Sequence, residues 1–118
     1  MNTSIYPQIK ESLKTAILTG RIMPGQRLPS VRKLAKQFQT IPNTVQRATT
    51  ELCKTGLVTR QLGQPMIVIS NVEQIEASRQ KKAIIVIQEC IRTLKKLNYQ
   101  EEEIINLISL AVAQKSKG

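Results

Sequence analysis

A stretch of polar and basic residues holds the side chains best suited to recognising another molecule, namely Pro42, Asn43, Thr44, Gln46 and Arg47. An amide such as that of Gln46 can pair bidentately with adenine, and an arginine can pair with guanine. Asn43 and Thr44 can contact base edges or phosphates. Arg47 leaves three roles open: guanine reading, a phosphate contact, or a helical salt bridge with Glu51. The segment therefore has the chemistry of nucleic-acid recognition.

Two short amphipathic helices would hold these side chains in place. Apolar residues recur at the spacing of one helix face in each of them. They are Val31, Leu34, Ala35 and Phe38 in the first helix, and Val45, Ala48, Leu52 and Cys53 in the second. Only residues 39–42 separate the two patterns, so the pair predicts a helix-turn-helix. In such a motif the N-terminal residues of the second helix can enter the DNA major groove.

A further helix is predicted before this motif. Its apolar stripe consists of Ile5, Ile9, Leu13, Ala16 and Ile17. Gly20 follows the stripe and can supply the left-handed conformation that ends a helix. Residues 20–27 are expected to form a loop with a turn at Pro24-Gly25. Ser30 is expected to cap the next helix.

A β-hairpin is predicted directly after the helix-turn-helix. Residues 57–60 and 66–69 are apolar, β-prone runs, and Gly63 lies in the turn-forming segment between them. A helix-turn-helix followed by a hairpin predicts a winged helix. The wing could follow a phosphate backbone or reach the minor groove through Arg60, Gln61 and Gln64.

The charge of the chain is concentrated in its first part. The 118 residues carry a formal net charge of +10. Residues 1–70 contain 10 basic and 2 acidic side chains, whereas residues 71–118 contain 8 and 6. This asymmetry favours a polyanionic partner for the first part, although a generally basic, solvated surface would show the same composition.

Several other classes of protein are excluded or disfavoured. The chain has no histidine, which excludes His-based catalysis and His-ligated metal sites. Cys53 and Cys90 stand far apart among apolar helical positions, and we expect them to be reduced, buried thiols. No nucleophile–base pair, carboxylate pair or phosphate loop indicates an enzyme, and we expect no cofactor and no metal. The longest apolar run, residues 83–87, is too short to span a bilayer, so we expect a cytoplasmic protein.

Residues 5–69 resemble the DNA-binding domain of GntR-type bacterial transcription regulators. The matching stretches are residues 5–9 (IYPQI), 20–35 (GRIMPGQRLPSVRKLA), 42–48 (PNTVQRA) and 51–58 (ELCKTGLV). With two helices predicted after the wing, the whole chain resembles the short YtrA-like branch of the family. The resemblance implies a mainly α fold with a small β-hairpin wing, and a dimeric repressor that binds operator DNA.

The resemblance also implies roles for residues near the start of the second helix. Arg32 matches a family position that meets DNA, so a phosphate or guanine-edge contact is expected; the alternative is a solvent-exposed helical arginine. Ser30 caps its helix, and the N–H groups there could also hold a phosphate. Lys33 and Lys36 would form a solvated face that adds general attraction. The expected DNA contacts are Ser30, Arg32, Pro42, Asn43, Thr44, Gln46, Arg47, Arg60, Gly63 and Gln64.

Two stretches depart from the family pattern. The turn of the helix-turn-helix reads Gln39-Thr40-Ile41, so an isoleucine stands where a capping side chain is expected. Either Thr40 caps a shifted helix, or the cap is missing at a cost of about 1 kcal/mol. The wing tip keeps Gly63, but Gln64 is uncharged and Pro65 replaces a second glycine.

Residues 71–118 are expected to form a two-helix dimerisation region, separate from the winged helix of residues 1–70. The first of these helices has a coiled-coil-like seam of Ile84, Ile87, Ile91 and Leu94. The second begins near residue 101 and presents Ile104, Ile105, Ile108 and Val112. Two such surfaces exceed what one small chain can bury, so we expect an isologous homodimer on a palindromic operator. These 48 residues leave no room for a separate sensor domain.

Duplex DNA is the partner that explains all of these features together. The alternative is a winged helix that docks RNA or a protein partner. Phe38 and two tyrosines are the only aromatic residues, which provides few stacking platforms for single-stranded RNA. The sequence therefore favours a sequence-specific DNA-binding regulator.

Overall fold

A computed structural model describes residues 5–117 of the chain, with side-chain burial described as far as residue 114. Within these residues the elements are helices and one antiparallel two-stranded sheet. In chain order they are α1 (Ile5–Leu18), α2 (Val31–Gln37), α3 (Pro42–Cys53), β1 (Val58–Thr59), β2 (Ile67–Val68), α4 (Val72–Lys96) and α5 (Glu101–Lys117). The predicted fold class, mainly helical with a small hairpin wing, is confirmed. No helix among the described residues is both long and apolar enough to cross a membrane.

The chain divides into two compact units, residues 1–79 and residues 80–118. The core of the first unit lies where α3 packs against α1 and α2. The predicted apolar stripes form this core, in which the most deeply buried side chains are Ile9, Ile17, Leu34, Val45, Leu52, Leu57 and Val68. Burial of each such aliphatic side chain contributes about 1.5–3 kcal/mol relative to exposure. The packing therefore fixes the orientation of α3 within the unit.

The two helices of the helix-turn-helix begin differently. At α2 the Ser30 hydroxyl accepts a hydrogen bond from the Lys33 N–H at 3.1 Å, as expected for an N-cap. At α3 the N-cap residue is Ile41, which makes no side-chain cap hydrogen bond. The sequence left open whether Thr40 caps a shifted helix or the cap is missing. In the structure the cap is missing. Pro42 at the first helical position compensates in part, because its fixed φ suits that position.

The turn between α2 and α3 is closed by backbone hydrogen bonds. The Thr40 N–H bonds to the Ala35 carbonyl at 2.8 Å, and the Gln39 N–H bonds to the Lys36 carbonyl at 3.2 Å. This pair is the Schellman pattern, which requires a left-handed residue after the helix. Gln39 supplies it with a φ of 55°. A left-handed conformation is unfavourable for an L-residue with a Cβ atom. The tight connection between α2 and α3 therefore comes with backbone strain at Gln39.

The wing has a third strand-like segment that the sequence did not indicate. β1 and β2 pair antiparallel, with Val58 opposite Val68. On the other edge of β2, the Leu28 N–H bonds to the Met66 carbonyl, and the Val68 N–H bonds to the Gln26 carbonyl, both at 2.9 Å. The expectation that all of residues 20–27 form a loop is therefore wrong at its end. Backbone groups of residues 25–28 pair with β2 instead.

The first turn of α4 belongs to the first unit. The Asn71 side chain accepts a hydrogen bond from the Gln74 N–H at 3.1 Å and so caps the start of α4. Ile75 is buried and joins the hydrophobic core cluster of the winged helix. The first unit thus extends to Arg79.

The second unit contains the rest of α4, a short turn and α5. A left-handed Asn98, with a φ of 71°, ends α4 through the same Schellman pattern. At the start of α5 the Glu103 carboxylate accepts a hydrogen bond from the Gln100 N–H at 2.8 Å, which is half of a capping box. Cys90 is exposed, so the expectation that it is a buried thiol is wrong. Cys53 is partly buried in the first unit.

Replacing Ile41 with serine should stabilise the fold by about 1 kcal/mol, because a serine hydroxyl can cap the first turn of α3. Ile41 is 60% exposed, so the substitution removes little buried apolar area. Urea unfolding of the full chain measures the change. Ser30→Ala is the matched control: it deletes the corresponding hydrogen bond of α2 and should lower stability by a similar amount. A destabilised Ile41→Ser variant would contradict this account of the cap.

Candidate nucleic-acid interface

The outer face of α3 presents the polar residues that the sequence singled out. Val45, Ala48 and Leu52 are fully buried on the inner face. Since helix positions one or two residues away point elsewhere, Asn43, Gln46 and Arg47 are exposed, as is Pro42. Thr44 is half-buried. The N-terminal half of α3 therefore has a polar surface of the size and composition that can be placed in a groove.

Arg47 is held by a residue that the sequence did not point to. Its Cζ atom lies over the ring of Tyr6, 4.1 Å from the ring centroid. The expected alternative partner, Glu51, instead accepts a 3.0 Å hydrogen bond from Lys54. That contact is the main reason why the pKa of Glu51 is lowered, with smaller effects from Lys10 and Arg47. The only sign of this role in the sequence is the position of Tyr6 one helical turn before Ile9.

The start of α2 carries a second exposed set of polar residues. Arg32 and Lys33 are exposed in the first turn, and Lys36 is exposed in the last turn. Ser30 is exposed too, with its hydroxyl used in the cap of α2. A hydroxyl keeps further hydrogen-bonding capacity after accepting one bond, so capping leaves Ser30 able to meet a phosphate.

The wing tip is a tight turn that is open to solvent. The Gln64 N–H bonds to the Gln61 carbonyl at 2.9 Å, and Gly63 adopts a φ of 74° that favours glycine. Arg60, Gly63 and Gln64 are all exposed. Leu62, which is not among the predicted contact residues, is fully exposed at the tip.

One small cleft brings the wing next to the helix-turn-helix. It has a volume of about 220 Å³, and the residues that line it include Ser30, Thr49, Arg60, Gln64 and Pro65. Thr49 is buried there and donates its hydroxyl to the Gln46 carbonyl at 3.1 Å. The structure thus places three predicted contact residues, one from α2 and two from the wing, around a single cleft.

The apolar residues expected at a dimer interface are mostly uncovered in the single chain. Ile84, Ile87, Ile105, Ile108 and Val112 are exposed, while Ile91 and Leu94 are half-buried. Ile104 is the exception, since it is only 3% exposed. Val86, Leu97 and Leu110 add exposed apolar area that the sequence analysis did not include. Among the described residues there is no group of three or more His, Cys, Asp or Glu side chains that could hold a metal ion.

A helix-turn-helix with a polar outer face on its second helix, followed by a hairpin, defines the winged-helix class of DNA-binding domain. The sequence comparison gives the family. Residues 5–68 match the bacterial regulatory proteins of the gntR family, and the chain belongs to that family. GntR-family proteins are transcription regulators that bind DNA.

Two curated relatives from Bacillus subtilis (strain 168) are informative. The uncharacterized HTH-type transcriptional regulator YhcF is 30% identical over 101 residues, which cover 86% of this chain and 84% of YhcF. The HTH-type transcriptional repressor YtrA is 38% identical over 72 residues, 61% of this chain. This match spans only 55% of YtrA.

Solved structures agree with the fold. A GntR family transcriptional regulator from Listeria monocytogenes has a TM-score of 0.83 at 30% identity, covering 92% of this chain and 95% of that one. The DNA-binding domain of AraR in complex with operator ORX1 has a TM-score of 0.53 at 30% identity. That match covers 57% of this chain and 81% of the AraR chain.

Arg32→Ala and Gln46→Ala should weaken DNA binding in different ways. Arg32→Ala should lower affinity on most duplexes, because a backbone or shared contact does not depend on one base. Gln46→Ala should relax the preference at one base pair by about 1–3 kcal/mol, the value of a bidentate amide–adenine pair. Affinities on a panel of single-base variants of a selected duplex, recovered by the full chain from a random-sequence pool, measure both effects.

Lys33→Ala is the control for that comparison, because Lys33 is an exposed neighbour expected to add only general attraction. It should cause a small, uniform loss. An unchanged ranking of the panel in Gln46→Ala would show that this side chain reads no base.

Proposed function

We propose that the chain is a cytoplasmic, homodimeric transcriptional repressor that binds a palindromic duplex operator. The observation that carries the proposal is the division of α3 into a fully buried inner face and an exposed outer face of Asn43, Gln46 and Arg47. Such an arrangement allows the outer face to enter the major groove while the core holds the helix rigidly.

Each exposed group has a role in this proposal. Asn43, Thr44 and Gln46 meet base edges or phosphates from the start of α3, and Arg47 meets a guanine or a phosphate. Arg32 in the first turn of α2 and its N-cap residue Ser30 contact the DNA backbone. Arg60, Gly63 and Gln64 of the wing follow the adjacent backbone or the minor groove. The excess of basic side chains in residues 1–70 supports a phosphate-rich partner.

Dimerisation is supported by the apolar surfaces of the second unit. α4 and α5 make little backbone contact with each other, so their aliphatic stripes do not cover one another along their length. Exposed aliphatic patches of this kind usually mark an interface. We assign them to a two-fold contact between copies, in which Ile84, Ile87, Ile91 and Leu94 of α4 and Ile105, Ile108 and Val112 of α5 take part. Ile104 is already buried within the single chain and is left out of this contact. The two-fold axis would set the spacing of the operator half-sites.

Repression is supported by the names of relatives. YtrA is a repressor, and AraR has been crystallised on several operators. A dimer bound to an operator can repress a promoter by occupying it. RNA or protein docking remains the alternative, and no feature of the described residues favours it over duplex DNA.

Binding to the selected duplex should depend strongly on salt, because each phosphate neutralised adds about 0.9 to the slope of log affinity against log salt. A dimer with several contacts in each half should lose on the order of a hundredfold in affinity over a few-fold rise in salt. Fluorescence anisotropy over a salt series measures the slope. An RNA hairpin of equal length is the competitor control and should displace the duplex poorly. A flat salt dependence would contradict the proposal.

Ile87→Glu should convert the protein into monomers, because it places a charge in the centre of the proposed interface. Ile85→Glu is the matched control: Ile85 is similarly exposed, but two residues along a helix point to nearly opposite sides. The control should stay dimeric. Sedimentation at micromolar concentration, with circular dichroism to verify folding, measures both variants. Ile87→Glu should also bind a half-site normally but lose the gain in affinity on the full operator; a dimeric Ile87→Glu would contradict the interface.

A further inference from the structure

Tyr6, in the first turn of α1, contacts the only basic side chain within α3. Its ring lies under the Arg47 guanidinium at 4.1 Å from Cζ to the ring centroid. The ring is half-buried and packs against the hydrophobic core. Since α1 and α3 form the most extensive helix–helix contact of the first unit, the ring is held at a fixed position relative to α3.

Contact with the face of an aromatic ring does not require the guanidinium of Arg47 to give up its hydrogen-bond donors. A guanidinium donates its N–H groups within its own plane, whereas an aromatic ring attracts it through its face. An arginine resting on a ring can therefore still donate two parallel bonds to a guanine or a phosphate. It has also lost part of its side-chain freedom before binding, which lowers the entropy lost on binding.

Glu51 attracts Arg47 only weakly, because among the basic residues that lower the pKa of Glu51, Arg47 has the smallest effect. Glu51, one helical turn further along α3, is paired with Lys54 at 3.0 Å. Lys10, one turn after Tyr6 on α1, also acts on Glu51 and lowers its pKa slightly. The carboxylate is thus already engaged, and the ring of Tyr6 is the contact that orients Arg47.

We infer that Tyr6 is a positioning residue for DNA recognition: its ring holds Arg47 in the orientation in which the guanidinium meets a guanine or a phosphate. The inference rests on the proposed function, in which Arg47 contacts duplex DNA. It adds a residue outside the helix-turn-helix, 41 positions before Arg47, to those that determine affinity.

The test compares Tyr6→Phe, which keeps the aromatic face, with Tyr6→Leu, which keeps apolar bulk without it. Each is made in the full chain and again in the Arg47→Ala background, and affinity is measured on the selected duplex and on its single-base variants. Tyr6→Phe should bind within about twofold of the parent. Tyr6→Leu should bind about fivefold more weakly, the effect of an exposed cation–π contact. In the Arg47→Ala background the two variants should bind equally.

A DNA-free measurement accompanies the affinities. In NMR spectra of the free protein, the ring current of residue 6 should shift the Arg47 side-chain signals in the parent and Tyr6→Phe, and not in Tyr6→Leu. Thermal unfolding of all variants measures any loss of packing. An effect of packing persists in the Arg47→Ala background, whereas an effect on the orientation of Arg47 disappears there.

Three results would overturn the inference while leaving the proposed function intact. Affinities of Tyr6→Phe and Tyr6→Leu that both equal the parent's would make the ring a packing element only. An equal loss in both variants would point to a DNA contact by the tyrosine hydroxyl. Tighter binding by Tyr6→Leu would mean that the ring withholds Arg47 from DNA. A parent protein that binds no duplex above background would overturn the proposed function, and the inference with it.

Discussion

Burial of one face of α3 against α1 and α2 is the constraint on which the rest of the first unit depends. Val45, Ala48 and Leu52 lie three or four residues apart and are completely excluded from solvent. A helix rotated by a single residue, about 100°, would expose these side chains and bury Gln46 or Arg47. Packing of the inner face therefore determines which residues of α3 face outward and so which side chains are available for recognition.

The two units present opposite kinds of surface. The first carries most of the excess positive charge and buries most of its apolar side chains in one core, to which even Ile75 of α4 contributes. The second has 7 basic and 4 acidic side chains, and it leaves aliphatic side chains such as Ile87 and Val112 about half exposed or more. A charged surface suits a phosphate backbone that is bound and released, whereas an aliphatic one suits a lasting contact with another protein surface.

The sequence predicted those elements whose side chains repeat regularly. The spacing of apolar residues located α1, α2 and α3, and residue type alone identified the cap Ser30. It could not reveal the pairing of residues 25–28 with β2, because the bonds involve backbone groups and leave no side-chain pattern. Nor could it reveal the contact between Tyr6 and Arg47, which exists only because α1 and α3 pack together. The individual DNA contacts stay predictions, since exposure permits them without selecting the base.

The double pairing of β2 determines how the wing can adapt. One edge of β2 is bonded to β1 and the other to residues 25–28, so the base of the wing is a two-stranded sheet with a bridged third segment rather than a free hairpin. Swinging the whole wing would break both sets of hydrogen bonds at once. Only the tip, residues 60–65, lies outside them. Conformational adjustment is therefore confined to a few residues, and amide hydrogen exchange would be slow at Val68 and fast at Leu62. The base of the wing is therefore rigid, and its tip can change conformation.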